Sequence, residues 1–153
     1  MKLAEALQER ADLNIRIHQL RSRMMNNILV QEGEQPAENP ADLKRELDGC
    51  IERLAWLIAC INLTNCRTVV NGQSITEMIA RKDTLGLKLS FYRDFVSEAG
   101  NAVDRARYSE IRIISTVKVA EIQKQVDFMA KELRLLDNRI QETNWTTELM
   151  ESE

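Results

Sequence analysis

The sequence predicts an all-α fold in which long helices pack side by side, as an antiparallel four-helix bundle or as long coiled-coil-like helical hairpins. Three observations support this prediction. Only 5 glycines and 2 prolines interrupt 153 residues, so the elements must be few and long. Aromatic residues make up 5% of the chain, which disfavours a β-sandwich. Apolar residues repeat at spacings of three and four near the C-terminus, at Val119, Ile122, Val126, Met129, Leu133, Leu136 and Ile140.

The first predicted helix spans about residues 2–30, because its apolar stripe begins at Leu3 and continues to Asn27. The next segment, EGEQPAENP, contains both prolines of the chain and a glycine, so it predicts a turn. Acidic side chains gather around this turn, from Glu32 to Asp42. Their spacing does not match an EF-hand, so we expect a solvated turn rather than a calcium site.

The second predicted helix spans about residues 40–65. Asn39 is a typical N-cap residue, and Pro40 fits the first helical position. The short connection predicts that this helix folds back on the first as an antiparallel hairpin. Near its end, Asn62 and Asn65 are candidate residues for binding a partner or setting the register. Asn65 occupies an apolar position of the stripe, where it either fixes the register or caps the helix in a left-handed turn.

A small β ribbon is predicted near residues 67–73 and 110–116. The β-branched run Thr68–Val70 precedes Asn71-Gly72, a strong hairpin signal, and residues 110–116 are rich in isoleucine. We expect these two segments to pair. Between them, Ser74 and Glu77 form a capping-box pattern that opens a third helix over about residues 75–99. A loop is expected over residues 101–109.

The fourth predicted helix spans about residues 117–143 and carries the C-terminal apolar stripe. Residues 1–143 are expected to form a single helical domain, followed by a tail over residues 144–153. In this tail, Asn144 and Trp145 are candidate partner-binding residues, although the indole could instead cover one end of the bundle.

The residue inventory offers little for catalysis, so we expect a protein that is not an enzyme and that binds no cofactor or metal. His18 is the only histidine, and nucleotide-binding glycine motifs are absent from the sequence. The three cysteines, Cys50, Cys60 and Cys66, match neither a zinc pattern nor a disulfide framework. A net charge of −3 does not favour nucleic acid as a partner.

The sequence also predicts a cytoplasmic protein. Its start, MKLAEALQER, lacks the apolar run of a secretory signal. Its longest apolar run, Leu54–Ile61, has 8 residues, whereas a membrane-spanning helix needs about 20. The odd number of unpaired cysteines fits a reducing compartment.

Four stretches resemble the septicolysin-like family of small bacterial proteins of unknown function: MKLAEALQERADLNIRIHQLRSR, VQEGEQPAENP, INLTN and DFMAKELRLLDNRIQETNW. The name of that family comes from a proposed pore-forming cytolysin. The resemblance therefore implies that a pore-forming activity is an alternative function, and it makes a membrane a possible partner only under that alternative. It implies no catalytic or binding residues.

The leading functional expectation is a non-enzymatic cytoplasmic interaction or structural protein built on a self-associating helical bundle. The apolar stripe of the fourth helix is long and uninterrupted, and apolar residues flank the stripes of the first two helices. Because one hairpin partner would not cover them all, we expect a homo-oligomer. Besides the cytolysin, a third possibility is a helical hairpin that binds RNA. The candidate basic residues are Arg16, Arg21 and Arg23 on the first helix, and Arg105, Arg107 and Arg112 near the predicted ribbon.

Overall fold

Four helices and one two-stranded ribbon make up the regular structure of the residues that the computed structural model describes, which are 1–106, 111 and 113–151. The elements are α1 (Leu3–Asn27), α2 (Pro40–Arg67), β1 (Val69–Val70), β2 (Gln73–Ser74), α3 (Ile75–Ala106) and α4 (Val119–Thr146). The predicted all-α fold with a small ribbon is therefore confirmed.

The chain divides into two compact units. The first unit comprises Met1–Ser74 and Thr143–Glu153, and the second comprises Ile75–Glu142. The expectation that residues 1–143 form a single domain stays a prediction.

In the first unit, α1 and α2 form an antiparallel hairpin. Two ion pairs join the helices, Glu9 with Arg53 and Arg16 with Glu46, and their order shows that the helices are antiparallel. A third pair joins Arg23 to Glu38, just before α2. The predicted stripes face inward, since the fully buried side chains lie on them, among them Leu3, Leu20, Leu57 and Ile61. The hydrophobic effect therefore holds the two helices together along the faces that the spacing indicates.

The helix α1 ends at Asn27, about one turn before the predicted end near residue 30. Asn27 is buried, its amide nitrogen donates to the carbonyl oxygen of Arg23 (2.9 Å), and its amide oxygen accepts from the backbone nitrogen of Glu38 (3.0 Å). The Asn27 side chain thus holds the segment that connects α1 to α2 beside the last turn of α1. Because Ile28, Leu29 and Val30 are exposed, no packing favours a longer helix.

The ribbon forms where the first strand was predicted, but its second strand is different. Val69 pairs with Ser74 and Val70 with Gln73, across Asn71 (φ 52°) and Gly72 (φ 81°). Positive φ at both central positions is the geometry of a two-residue hairpin turn, which Asn-Gly adopts readily. The pairing with residues 110–116 is wrong: Ile111 and 113–116 are not in a strand, and residues 110 and 112 lie outside the described residues. The tight turn pairs neighbouring residues at a lower entropic cost than a distant segment would require.

In the second unit, α3 and α4 form another antiparallel hairpin. Its core comprises buried Leu89, Val126 and Met129, with Leu85, Tyr92, Val96, Ile122, Ala130 and Leu133 half-buried around them. The Lys82 ammonium lies 2.7 Å from an Asp137 carboxylate oxygen, and Arg81 lies 3.7 Å from Glu132. The C-terminal stripe of the sequence is therefore the inward face of α4.

The boundaries of α3 and α4 differ from the prediction. The helix α3 continues past Gly100 to Ala106, so the loop predicted from residue 101 is wrong as far as residue 106, and residues 107–109 lie outside the described residues. A glycine costs a helix only about 1 kcal/mol and does not end it without a further breaker. The helix α4 begins at Val119 and continues to Thr146, so Asn144 and Trp145 belong to the helix rather than to a tail.

Candidate interaction surface

The phenylalanines of the chain are exposed, although phenylalanine is among the residue types most often buried. The sequence has three, and the exposed fractions of Phe91, Phe95 and Phe128 are 55%, 55% and 63%. All three lie in the α3–α4 hairpin, together with exposed Leu87 and Leu135. Contiguous exposed apolar residues commonly mark an interaction surface, whereas isolated ones need no explanation.

Helical geometry places these residues on one face of the hairpin. At about 100° per residue, Phe91 and Phe95 lie about 130° and 90° from the inward stripe of α3, and Phe128 and Leu135 lie about 130° from that of α4, in the same rotational sense. Leu87 lies about 170° from the stripe of α3, at the edge of this side. In two antiparallel helices, equal rotations of the same sense lead to the same side of the pair. We call this side the aromatic face and define it by Leu87, Phe91, Phe95, Phe128 and Leu135.

The opposite side of the same hairpin is polar. The exposed residues there are Asp83, Ser90, Arg93, Asp94 and Ser97 on α3, and Gln123, Asp127, Lys131, Arg134 and Asn138 on α4. A solvent-facing helical layer needs only such a polar surface. The aromatic face is therefore a specific feature of one side and not a general property of the hairpin.

A groove runs along the aromatic face. One part, of about 490 Å³, is lined mainly by apolar side chains: Tyr92, Phe95, Ile113, Ile114, Val117 and Ile122. A second part, of about 420 Å³, lies beside Phe128, Leu85 and Met129. The two parts share Tyr92 and Gln125, so they are adjacent. An open apolar groove of this kind suits a side chain or helix from another protein.

Charged residues of both signs surround the aromatic side chains. Lys88 and Lys124 line the part of the groove beside Phe128, and the Lys88 ammonium lies 5.5 Å from the centre of the Tyr92 ring, which permits a cation–π interaction. Glu98 lines the other part of the groove, and exposed Glu121 lies nearby at the start of α4. Glu132 also lines the part beside Phe128, and Glu121 is ion-paired with Lys118 (3.3 Å), so acidic and basic side chains lie close together along both parts.

The sequence-predicted candidates lie elsewhere, in the first unit. Asn62 is exposed and Asn65 half-buried in the last turns of α2, Asn144 is buried in the last turn of α4, and Trp145 is 58% exposed. The alternative that Asn65 caps α2 in a left-handed turn is wrong, because the helix continues to Arg67 and its C-cap, Thr68, is extended. Roles in partner binding or register stay predictions.

Thr64, between the two asparagines, makes the structural contact in this region. Its side chain is buried, its hydroxyl donates to the carbonyl oxygen of Cys60 (2.7 Å), and the same oxygen accepts from the backbone nitrogen of Met150 (2.9 Å). Nearby, the backbone nitrogen of Leu3 donates to the carbonyl oxygen of Thr147 (2.9 Å). These bonds attach the segment after α4 to the first unit. Sequence reasoning missed them, because no local pattern indicates a contact between residues 64 and 150.

Other polar side chains considered from the sequence are accounted for by ion pairs. Glu38, in the acidic turn, bonds to Arg23, and this bond lowers the pKa of the Glu38 carboxyl. The Arg53 guanidinium holds Glu9 through two hydrogen bonds of 2.7 and 3.0 Å, and the pKa of Glu9 is lowered by the same partner. Arg53 also stacks over Trp56, 4.4 Å from the ring centre. These contacts fasten helices together.

Neither a metal-binding cluster nor a membrane-spanning helix occurs in the described part of the chain. Within it, groups of three or more His, Cys, Asp or Glu side chains suited to a metal ion do not occur. His18 is exposed on α1, and none of the three cysteines, all of them described residues, forms a disulfide. None of the helices there combines the length and the apolarity that crossing a bilayer requires.

Comparison with known proteins corrects the family assignment. The family described as "Family of unknown function (DUF6847)" matches residues 10–149. A crystal structure of a functionally unknown conserved protein from Corynebacterium diphtheriae is 38% identical in sequence, with a TM-score of 0.89 over 98% of this chain and 99% of that one. No curated protein matches.

The resemblance to the septicolysin-like family is therefore wrong, and the pore-forming activity that it implied loses its basis. The stretches that suggested it are amphipathic helices and a turn, whose heptad-like spacing recurs in unrelated helical proteins. The chain belongs to the DUF6847 family, whose function is unknown.

Proposed function

We propose that this protein is a non-enzymatic, cytoplasmic interaction or structural protein that self-associates through the aromatic face of its α3–α4 hairpin. The observation that carries the proposal is the exposure of all three phenylalanines on one side of that hairpin, beside two adjacent cavities, the first of them lined mainly by apolar side chains. Aromatic side chains dominate the energetics of protein interfaces, because they bury a large apolar area with few rotatable bonds.

The cytoplasmic part of the proposal is supported by the thiols. Cys66 is exposed and Cys60 is buried, and neither forms a disulfide. Free thiols are typical of a reducing compartment. The non-enzymatic part rests on the residue inventory, which provides one histidine for the whole chain.

Sedimentation equilibrium of the purified protein tests self-association. We expect a dimer in the micromolar range, and a Phe91→Ser/Phe128→Ser variant should raise the dissociation constant at least ~100-fold, because central aromatic residues of an interface are worth about 2 kcal/mol or more each. Far-UV circular dichroism should show an unchanged helical content, since both side chains are exposed in the isolated chain.

A matched control is Ile15→Ser. Ile15 is 57% exposed on α1, so this variant also loses an exposed apolar side chain, but outside the aromatic face. It should dimerise like the wild type. A wild-type protein that stays monomeric at about 100 μM, far above the expected constant, would contradict self-association. So would a dimer that the phenylalanine variant does not weaken.

A further inference from the structure

We infer that residues 147–150, which follow α4, form a strap that opens and closes as one unit over one end of the α1–α2 hairpin, while the bodies of both helices stay folded. We call this segment the strap. Every contact that supports this device lies within the first unit, so the strap is independent of the aromatic face and of self-association through it.

The strap is extended rather than helical, and it lies alongside the residues that precede α1. Lys2 and Glu148 form an antiparallel β bridge, and the backbone nitrogen of Leu149 donates to the carbonyl oxygen of Met1 (2.8 Å). One carboxylate oxygen of Glu148 lies 2.6 Å from the Lys2 ammonium, and the other lies 3.3 Å from the amino group of Met1. The strap is therefore bound at its first anchor mainly through its backbone.

The strap also completes the N-terminal cap of α1. The first backbone N–H groups of a helix have no partner within the helix, and a capping side chain normally accepts from one of them. At the cap position α1 has Lys2, whose ammonium can only donate. The carbonyl oxygen of Thr147 accepts instead from the backbone nitrogen of Leu3 (2.9 Å). The first turn of α1 and the strap therefore depend on each other.

A second anchor lies on α2 and connects the strap to the other helix of the hairpin. The backbone nitrogen of Met150 donates to the hydroxyl oxygen of Thr64 (2.9 Å), and this hydroxyl donates to the carbonyl oxygen of Cys60 (2.7 Å). Thr64 is fully buried, so its hydroxyl needs a partner within the protein. The strap thus contacts the start of α1 and the last turns of α2 at the same end of the hairpin.

The side chains of the strap add little apolar burial to these bonds. Leu149 and Met150 are only half-buried, and the Glu148 side chain is 65% exposed. In the hairpin itself, by contrast, Leu3 and Leu57 are fully buried. Segments with few buried apolar contacts open locally at a lower free energy than packed helices. Opening the strap breaks a few hydrogen bonds and the contacts of one exposed carboxylate, whereas the hydrogen bonds within each helix remain.

The close spacing of the anchors makes the opening a single event. The groups that bind lie on Thr147, Leu149 and Met150, within four consecutive residues, so releasing one of them removes the extended geometry that holds the others. The open state leaves the backbone nitrogen of Leu3 and the hydroxyl of Thr64 without their strap partners at the same time. This end of the hairpin therefore has two states, closed and open.

Native-state hydrogen exchange of the full chain, followed by NMR at low urea concentrations, tests the inference. The amides of Leu3, Leu149 and Met150 should have protection factors within about threefold of one another, because one opening exposes all three. Their exchange should depend weakly on urea, since the opening exposes little surface. The amide of Ile61, inside α2, should be at least ~100-fold more protected and should depend steeply on urea.

Thr64→Val tests whether the anchors are coupled. This variant should speed the exchange of the Leu3 and Leu149 amides about 5- to 10-fold, although the Thr64 side chain bonds to neither of them. Independent fraying would speed the exchange of Met150 alone. Thr84→Val is the matched control, since that hydroxyl bonds only within its own helix, and it should leave these rates within about twofold of the wild type.

A second variant perturbs the other anchor. Glu148→Ala removes the carboxylate that contacts Lys2 and keeps Thr64, and it should speed the exchange of all three strap-dependent amides about 2- to 5-fold. Glu151→Ala removes an exposed carboxylate just beyond the strap and should leave the rates within about twofold of the wild type. This pair gives the same test if Thr64→Val does not fold by circular dichroism.

Two results would overturn the inference. If Thr64→Val speeds the exchange of Met150 and not of Leu3 and Leu149, the segment does not open as one unit. If the strap-dependent amides are as protected and as steeply dependent on urea as Ile61, the segment opens only when the hairpin unfolds. Joint acceleration of the three amides, with a weak dependence on urea, supports a strap that opens by itself.

Discussion

The α1–α2 hairpin and the α3–α4 hairpin have the same construction and different outer surfaces. Both are antiparallel pairs of long helices joined by an apolar stripe and by ion pairs across the pair. The exposed apolar residues of α1 and α2 include aliphatic side chains such as Ile15, Ile51 and Ile58, whereas those of α3 and α4 include all three phenylalanines on one side. The inward stripe makes a hairpin, and the outer face determines what it binds.

The hairpins also differ in how polar groups fasten them. Glu9 and Arg53 form a two-bonded ion pair in the first unit, and the buried Thr64 hydroxyl bonds to two backbone groups. In the second unit, Lys82 and Arg81 contact carboxylates through exposed or half-exposed side chains. Substitutions in the first unit should therefore change stability, and those on the aromatic face should change association.

The largest expected effect comes from the packed stripe. Leu57→Ala should lower the free energy of unfolding by about 2–5 kcal/mol, because it leaves a cavity where a fully buried side chain was. Leu87→Ala, at a position that is 59% exposed on the aromatic face, should lower it by less than about 0.5 kcal/mol in the monomer. Urea denaturation at a protein concentration below the dimer dissociation constant measures both. Equal losses of unfolding free energy for the two variants would contradict the distinction between the packed stripe and the exposed aromatic face.

A smaller effect is expected at Thr64. Thr64→Val keeps the shape of the side chain but removes the hydroxyl, so the backbone nitrogen of Met150 loses its acceptor. We expect a loss of about 1–2 kcal/mol in the free energy of unfolding. Thr84→Val is the matched control, since the exposed Thr84 hydroxyl donates only to carbonyl oxygens of its own helix. If thermal unfolding shows the same stability for both variants, the contact with Met150 contributes nothing.

The Glu9–Arg53 pair should give a pH-dependent contribution. In the folded chain the pKa of the Glu9 carboxyl lies below its ordinary value of 4.5, mainly because of the hydrogen bond from Arg53. The stabilising effect of the pair is therefore complete above pH 4.5, and it is lost as the pH falls through the folded pKa of Glu9. Glu9→Gln should cost about 0.5–1 kcal/mol at pH 7, because both partners are partly exposed. The difference from the wild type should shrink towards pH 3.

Denaturation at several pH values measures this difference. Glu52→Gln, which removes an exposed carboxylate from α2, is the control and should not reproduce the pattern. A cost for Glu9→Gln that stays constant between pH 7 and pH 3 would show that the charge of Glu9 is not responsible.

The smallest expected effect is at Leu29, in the segment after α1. Leu29 is 85% exposed, the highest exposed fraction among the large apolar residues of the described chain. Leu29→Ser should change the free energy of unfolding by less than about 0.5 kcal/mol and leave the dimer dissociation constant unchanged. Weaker association of this variant in sedimentation equilibrium would mean that the interaction surface extends to the first hairpin.

Much of the helical framework could be predicted from the sequence because its signals are local. The apolar stripe from Val119 to Ile140 identified the inward face of α4, and Asn39 accepts from the backbone nitrogen of Ala41 as an N-cap should. The two-residue turn at Asn71-Gly72 also follows from a local signal. Its pairing was predicted wrongly, because β-branched composition indicates that residues 110–116 could form a strand but not with which segment.

The candidate surface could not be predicted in the same way. Phe91, Phe95 and Phe128 fit helical spacing, and the sequence alone could not tell whether they face the partner helix or solvent. Each helix has apolar residues on two sides, and only one side can pack against the neighbouring helix. The side that packs determines how the helix is rotated about its own axis. Once Leu89, Val126 and Met129 occupy the hairpin core, the phenylalanines must lie outside it.

The sequence by itself determined that this chain forms long antiparallel helices with a turn at Asn71-Gly72, because spacing and turn chemistry act over a few residues. Tertiary structure alone decided three other features: the bond between Thr64 and Met150, the early end of α1 at Asn27, and the gathering of three phenylalanines on one face. Each depends on contacts between residues far apart in the chain, which only the packing of whole helices brings together.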